Sequence, residues 1–374
     1  MSAAGRTGVL GNSFRLAMTI VGTTIGAGFA SGREIWEFFT VYGAGSGQGI
    51  LLFAGLYALC CWVILRISWQ TKPASYSELL FRLMSPLMAR VYDGLIMFYL
   101  FSLSAVMFAA SGAVFADVRL PFHLGVLAIA VLVFSVLIFQ IRGLLSLNSW
   151  LIPLLVLMLA AIAFFYLMGG EPGDSQGREQ TEQLEQRFEA RFQPYYGVWA
   201  SSVVYTSFNL VPMIGVLCMA ARESRHPREL AIGSLLSGLF LGGLAWLLNG
   251  ALLNMPVDVA AEREILLFEL AGHFPFRVEK LVFLSLWLAI YTTALSSIFS
   301  LATRLKVIVI WPHSLILAIL VIGIIPFSYF GFATLVKILY PIFGMASLFF
   351  VGCLLLSWIR GDDSLPNHHG FSGR

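Results

Sequence analysis

The chain has 374 residues, of which 59% are hydrophobic and 11% charged. A water-facing globular surface carries about 25% charged residues, so a soluble domain is excluded. The net charge of +3 is spread along the chain and leaves no footprint for a nucleic acid.

Apolar runs lie at 14–41, 48–69, 92–118, 122–140 and 147–169, then at 196–220, 228–253, 279–306, 309–327 and 332–358. Each is about as long as the ~20 residues a helix needs to cross a bilayer. The ~10-residue alternation of a membrane β-barrel is absent. The sequence therefore predicts an all-α membrane protein of about ten spans in one transmembrane domain. A polar external loop at 170–195 separates the two halves, and a tail follows at 359–374. Within that loop, Leu184, Phe188 and Phe192 are four apart and suggest an amphipathic helix.

The first run is too long for the apolar part of a signal peptide and has no cleavage pattern. Cys60, Cys61, Cys218 and Cys353 sit in apolar runs without a C-x-x-C spacing, so they read as packing residues.

A cytoplasmic N-terminus puts Arg66, Lys72, Arg82 and Arg90, and also Arg222, Arg225 and Arg228, on the cytoplasmic side. Both termini are then cytoplasmic, in the inner membrane. Five spans per half turn the second half over. Residues 14–169 and 196–358 would thus be inverted repeats, an arrangement found in secondary transporters. The offset from Pro153 in span 5 to Pro341 in span 10 also carries Gly22 into the polar stretch of span 6.

Span 1 holds four glycines and three hydroxyl residues between Val21 and Gly32. Each glycine costs up to ~1 kcal/mol of helix propensity. The run from Phe14 to Tyr42 is also too long for one straight helix across ~30 Å. Both facts predict unwinding near Gly22 to Gly28. Gly22-x-x-x-Gly26 equally suits close packing of a neighbouring helix.

Span 6 carries Tyr205-Thr206-Ser207-Phe208-Asn209-Leu210-Val211-Pro212. Pro212 lacks an N–H, and Asn209 at mid-membrane needs a partner. A proline kink fits these residues, and so does a second interruption. Unwound helices expose N–H groups that bind a carboxylate and C=O groups that bind a cation. In span 8, Thr293, Ser296 and Ser297 share one helix face. Their oxygens suit a small hard cation, although such hydroxyls also commonly bond their own backbone.

These segments resemble the LeuT fold of the amino acid–polyamine–organocation superfamily. The spacing of Gly22, Gly26 and Gly28 is that fold's G-x-x-x-G-x-G, and span 8 resembles its sodium-site pattern. The string from Ile25 to Ile35 looks closer still to the YkvI-like amino acid permeases. The resemblance implies a 5+5 inverted repeat with helices 1 and 6 interrupted. It implies a sodium ion held by the carbonyls of Gly22, Ile25 and Thr293 and the hydroxyls of Ser296 and Ser297. Substrate would then lie against Thr23, Thr24, Gly26, Ala27, Gly28 and the stretch Tyr205, Thr206, Ser207, Phe208 and Asn209.

Arg33, Glu34 and Glu37 follow the interruption, and Lys337 lies about one turn into span 10. Charges at that depth need partners or water. They are expected to form an outer gate in which Lys337 meets Glu34 or Glu37. The aromatic residues Tyr99, Phe208 and Tyr340 could cover a substrate, with packing as the default role.

The expected function is secondary active transport of a small zwitterion, an amino acid, by alternating access. Sodium is the expected coupling ion, ahead of protons, and no other cofactor is expected. A ligand-sensing receptor subunit on the same fold is the alternative. An enzyme is not expected, because no nucleophile–base pair, H-E-x-x-H or mid-membrane carboxylate pair is present.

Overall fold

The computed structural model describes residues 3–73, 76–139, 148–169, 197–256, 259–260, 263–272 and 278–359. The expected amphipathic helix and the tail beyond Ile359 lie outside the described residues. Among the described residues the fold is all-helical, with ten spans where the apolar runs predict them. Span 1 consists of three pieces: Ala3–Thr24, Ala27–Ala30 and Arg33–Phe38. A 3-10 turn, Thr40–Gly45, leads into span 2, Ser46–Thr71. Spans 3, 4 and 5 are Pro86–Asp117, Phe122–Phe139 and Asn148–Gly169. Spans 6 to 10 are Val198–Glu223, Pro227–Leu253, Glu279–Ile308, His313–Ser328 and Phe332–Ile359. Large apolar side chains such as Leu51, Met168 and Ile322 are exposed on the rim, as a lipid-facing surface requires.

The spans sort into two groups. Spans 1, 2, 6 and 7 pack on one another, as do spans 3, 4, 8 and 9. Neighbour pairs exchange under a shift of five spans. Span 1 lies on span 7 as span 6 lies on span 2, and span 3 lies on span 4 as span 8 lies on span 9. This exchange of neighbours is what two five-span repeats would give. The widest departure from it is at one pair. Span 6 packs extensively on span 10, whereas span 1 touches span 5 lightly.

Small residues set the helix spacing. A Cβ added at Gly238 of span 7 would lie 2.5 Å from the Ala54 carbonyl oxygen of span 2, and one at Gly344 of span 10 would lie 2.6 Å from that of Val204 in span 6. Hydrogen bonds join the members of each group. In the first group Thr24 meets Tyr57 at 2.5 Å, and Asn249 bonds both Thr40 and Ser46 at 2.9 Å. In the second, Trp287 donates to Ser111 at 2.8 Å, which donates to the Gly125 carbonyl at 2.7 Å. Arg304 of span 8 is ion-paired to Asp93 of span 3.

Span 1 breaks where the glycines predict. Its helix stops at Thr24 and restarts at Ala27, then turns at Ser31-Gly32 before Arg33. Gly32 has φ +80°, a left-handed conformation that favours glycine. Span 6 departs from expectation, because Val198–Glu223 runs unbroken through Pro212. The proline deprives only the Phe208 carbonyl of its helical N–H. The polar side chains that suggested a break turn back on the helix instead. Thr206, Ser207 and Asn209 donate to the carbonyls of Ser202, Val203 and Tyr205 at 2.8, 2.9 and 3.0 Å.

Gly238→Ala must push spans 2 and 7 apart and should destabilise the protein by about 1–3 kcal/mol. Gly243→Ala on the same helix meets nothing within 4 Å and should leave the thermal transition in detergent unchanged or higher.

Candidate functional site

A cavity of about 1600 Å³ enters the molecule from the end that carries the start of span 1. Phe14, Arg15, Arg222 and Tyr76 line its mouth, and Ile25, Val211 and Thr293 line its head. Its walls come from both groups of spans. The lightly packed side between spans 1 and 5 supplies Val21, Gly22, Pro153 and Val156. The cavity therefore stops at the break in span 1.

The five residues expected to bind the ion, Gly22, Ile25, Thr293, Ser296 and Ser297, all line this cavity. The 26–30 segment packs on span 8, and a Cβ at Gly26 would be 3.8 Å from Thr293 Oγ1. The break forms because Gly26 bonds the Thr24 carbonyl at 2.9 Å, a short link that ends the first helix. The span 8 hydroxyls donate inward to their own helix. Thr293, Ser296 and Ser297 bond the carbonyls of Ala289, Thr292 and Thr293 at 2.9, 2.8 and 2.8 Å. Donation in this sense leaves the hydroxyl lone pairs free to face a cation.

The expected substrate residues divide. Thr23 lines the cavity. Thr24 turns instead to Tyr57 of span 2. Gly26, Ala27 and Gly28 form the restart of span 1, just beyond the cavity head. Tyr205 to Asn209 lie deeper. Phe208 stacks on Tyr340 with centroids 4.1 Å apart and meets Tyr99 edge-on at 5.6 Å. This aromatic layer lies one turn beyond Val211, at the blind end of the cavity.

The opposite end of the bundle is closed by Arg33, which is 4% exposed. Its guanidinium pairs with Glu37 at 2.7 Å and donates to the Ala260 carbonyl at 3.0 Å, in the connection after span 7. The Leu267 N–H bonds the Ser31 carbonyl at 3.0 Å, and Ser201 of span 6 bonds the Phe38 carbonyl at 2.7 Å. Arg263 faces Asp117 at 3.5 Å and Glu269 at 3.7 Å. Glu264, at 3.4 Å from the Phe332 N–H, is pushed above the usual carboxylate range by burial, with that N–H and the charge of Arg33 opposing. Of the expected gate residues, Arg33 and Glu37 thus pair with each other, Glu34 turns inward to Tyr205, and Lys337 is exposed on span 10. The contacts of Arg33 with the Ala260 and Arg263 carbonyls were missed in the sequence, because backbone carbonyls leave no residue-type signal.

At 11% identity, the solved inward-facing conformation of Mhp1 aligns with a TM-score of 0.50 over 93% of this chain and 76% of that one. Fold and cavity together define an all-α membrane protein with the LeuT-like transporter fold. No protein-family model matches the chain. It is 34% identical over 341 residues to YyaD of Bacillus subtilis (strain 168), covering 91% of this chain and 95% of that one. It is 26% identical over 357 residues to the membrane protein YkvI of the same strain, covering 92% and 96%. The chain belongs to the family of YyaD, and YkvI aligns with most of its length.

Arg33→Ala leaves Glu37 buried without its partner, a loss of about 3–5 kcal/mol for a buried pair. Hydrogen–deuterium exchange over 263–272 should rise sharply in this variant. Equal exchange in variant and wild type would show that Arg33 does not hold that segment.

Proposed function

We propose that this protein is a secondary transporter of a small zwitterionic solute, an amino acid, working by alternating access. The observation that carries this reading is the cavity. It ends at a broken helix on one side and at hydroxyl residues of span 8 on the other, while Arg33 closes the far end. With both termini in the cytoplasm, the cavity opens inward and the Arg33 end faces outward.

The chemistry follows from the break. N–H groups at the start of the 27–30 turn have no carbonyl one turn back in their own helix. A carboxylate arriving from the cavity head meets those donors at Ala27 and Gly28. The carbonyls of Gly22, Ile25 and Thr293 and the hydroxyls of Ser296 and Ser297 offer five hard oxygens, the ligand type a sodium ion takes. A cation there next to a bound carboxylate makes each ligand tighten the other, which is the thermodynamic content of symport. Arg33 and Glu37 act as the outer gate, with Lys337 as a second cation for Glu37 when Ala260 and Arg263 withdraw from Arg33. The 5+5 repeat, 14–169 against 196–358, supplies the two interchangeable halves that such a cycle needs.

Sodium should raise the thermal transition of the purified protein, through a stability gain of about 2.7 kcal/mol at a hundred times its Kd. The double variant Ser296→Ala/Ser297→Ala should lose most of that shift. No shift in the wild type would remove sodium from the reading. Uptake of a mixture of the twenty common amino acids into proteoliposomes then separates transport from ligand sensing, which would give binding without uptake.

A further inference from the structure

Glu34 belongs neither to the cavity lining nor to the closure at Arg33. It is 4% exposed. Its side chain folds back onto the restart of span 1, where a Cβ on Gly28 would lie 2.0 Å from Oε1. Oε2 accepts a hydrogen bond from the Tyr205 hydroxyl of span 6 at 2.7 Å. The Tyr340 hydroxyl of span 10 and the Phe29 N–H also point at this carboxyl. Behind Tyr205 stand Phe38, Phe53 and Phe39, at centroid distances of 4.8, 4.9 and 5.2 Å. On the cavity side stands the layer of Phe208, Tyr340 and Tyr99.

The donors to this carboxyl are all neutral. The ionisable groups around it are Tyr99 from span 3, Tyr205 from span 6 and Tyr340 from span 10. On its own helix, Arg33 is committed to Glu37 and Ala260. Lys337 is exposed on span 10. A carboxylate sealed among rings without a cation is strongly disfavoured, so its charge must be cancelled by something that fits. Gly28 backs directly onto the carboxyl, so that face admits no further heavy atom. A proton needs no room.

We propose that Glu34 is a proton-binding site of the transport cycle, distinct from the ion site of spans 1 and 8. Its carboxylate takes one proton from the aqueous cavity when the layer of Phe208, Tyr340 and Tyr99 parts. It holds that proton as the neutral acid while sealed, and releases it as a hydronium ion to the other side once the Arg33 closure opens. One O–H bond forms and the same bond breaks, and no other reactant takes part. The coupling rests on the transport reading; the proton binding does not.

Infrared difference spectra of the purified protein between acidic and alkaline buffer test the binding. The wild type and Glu37→Gln should both show a titrating carboxylic-acid C=O band that Glu34→Gln lacks. The same band in all three overturns the proposal. If Glu34→Gln does not purify as a monodisperse species, Glu34→Asp should shift the band and its titration, and an unshifted band is equally decisive against it. Proteoliposomes with a trapped pH dye test the coupling. Addition of the twenty-amino-acid mixture should change the lumenal pH in the wild type and not in Glu34→Gln. Solute movement without a pH change in the wild type overturns the coupling and leaves the transport reading standing. Absence of solute movement overturns the transport reading, and the infrared band still decides the proton site.

Discussion

In a bilayer every backbone N–H and C=O must find a partner, because lipid offers none. The break in span 1 at Ile25-Gly26 defies that rule unless water or protein is at hand. Both are: the cavity reaches the break from one side, and span 8 with its hydroxyls covers it from the other. The placing of the other spans follows from this need. Spans 6 and 7 flank the broken helix, and span 8 packs on its 27–30 piece.

The two halves of the chain are packed differently at one place. Span 6 lies firmly on span 10, while its counterpart, span 1, stands off from span 5. The gap is the cavity. In the transport reading proposed above, exchanging the two arrangements between the halves would close this cavity and open a counterpart at the Arg33 end. Span 6 reaches its closed packing as a continuous helix, so only one member of the pair is broken here. Its polar residues are satisfied within the helix, and Pro212 leaves a single carbonyl unpaired.

Much of this was legible in the residues. The ten spans follow from run length alone, since the bilayer fixes how long an apolar helix must be. The break in span 1 follows from glycine content, and the shared face of Thr293, Ser296 and Ser297 follows from helix spacing, whereas Gly22 and Ile25 were singled out through the family resemblance alone. Span 6 was misread because an asparagine and a proline look the same in sequence whether the helix bends around them or stops. Glu34 was placed with the gate for its position just after the interruption. Its inward turn depends on Gly28 leaving space one helix piece away, a contact that spacing along the chain does not reveal. The closure by Ala260 and Arg263 was hidden for a different reason, because main-chain carbonyls are carried by every residue type.

Span 8 has a further property. Thr292, Thr293, Ser296, Ser297 and Ser300 each donate to a carbonyl of their own helix, three or four residues back. A hydroxyl already bonded within its own helix makes no demand on the helix opposite. The face that meets the broken segment is therefore polar enough to tolerate water but free of cross-helix tethers that a sliding motion would have to snap. The bonds that hold the span 1 segments to the rest of the protein lie elsewhere, at Thr24, Ser31, Arg33 and Phe38, so the side that meets span 8 is held by packing and not by these hydroxyls.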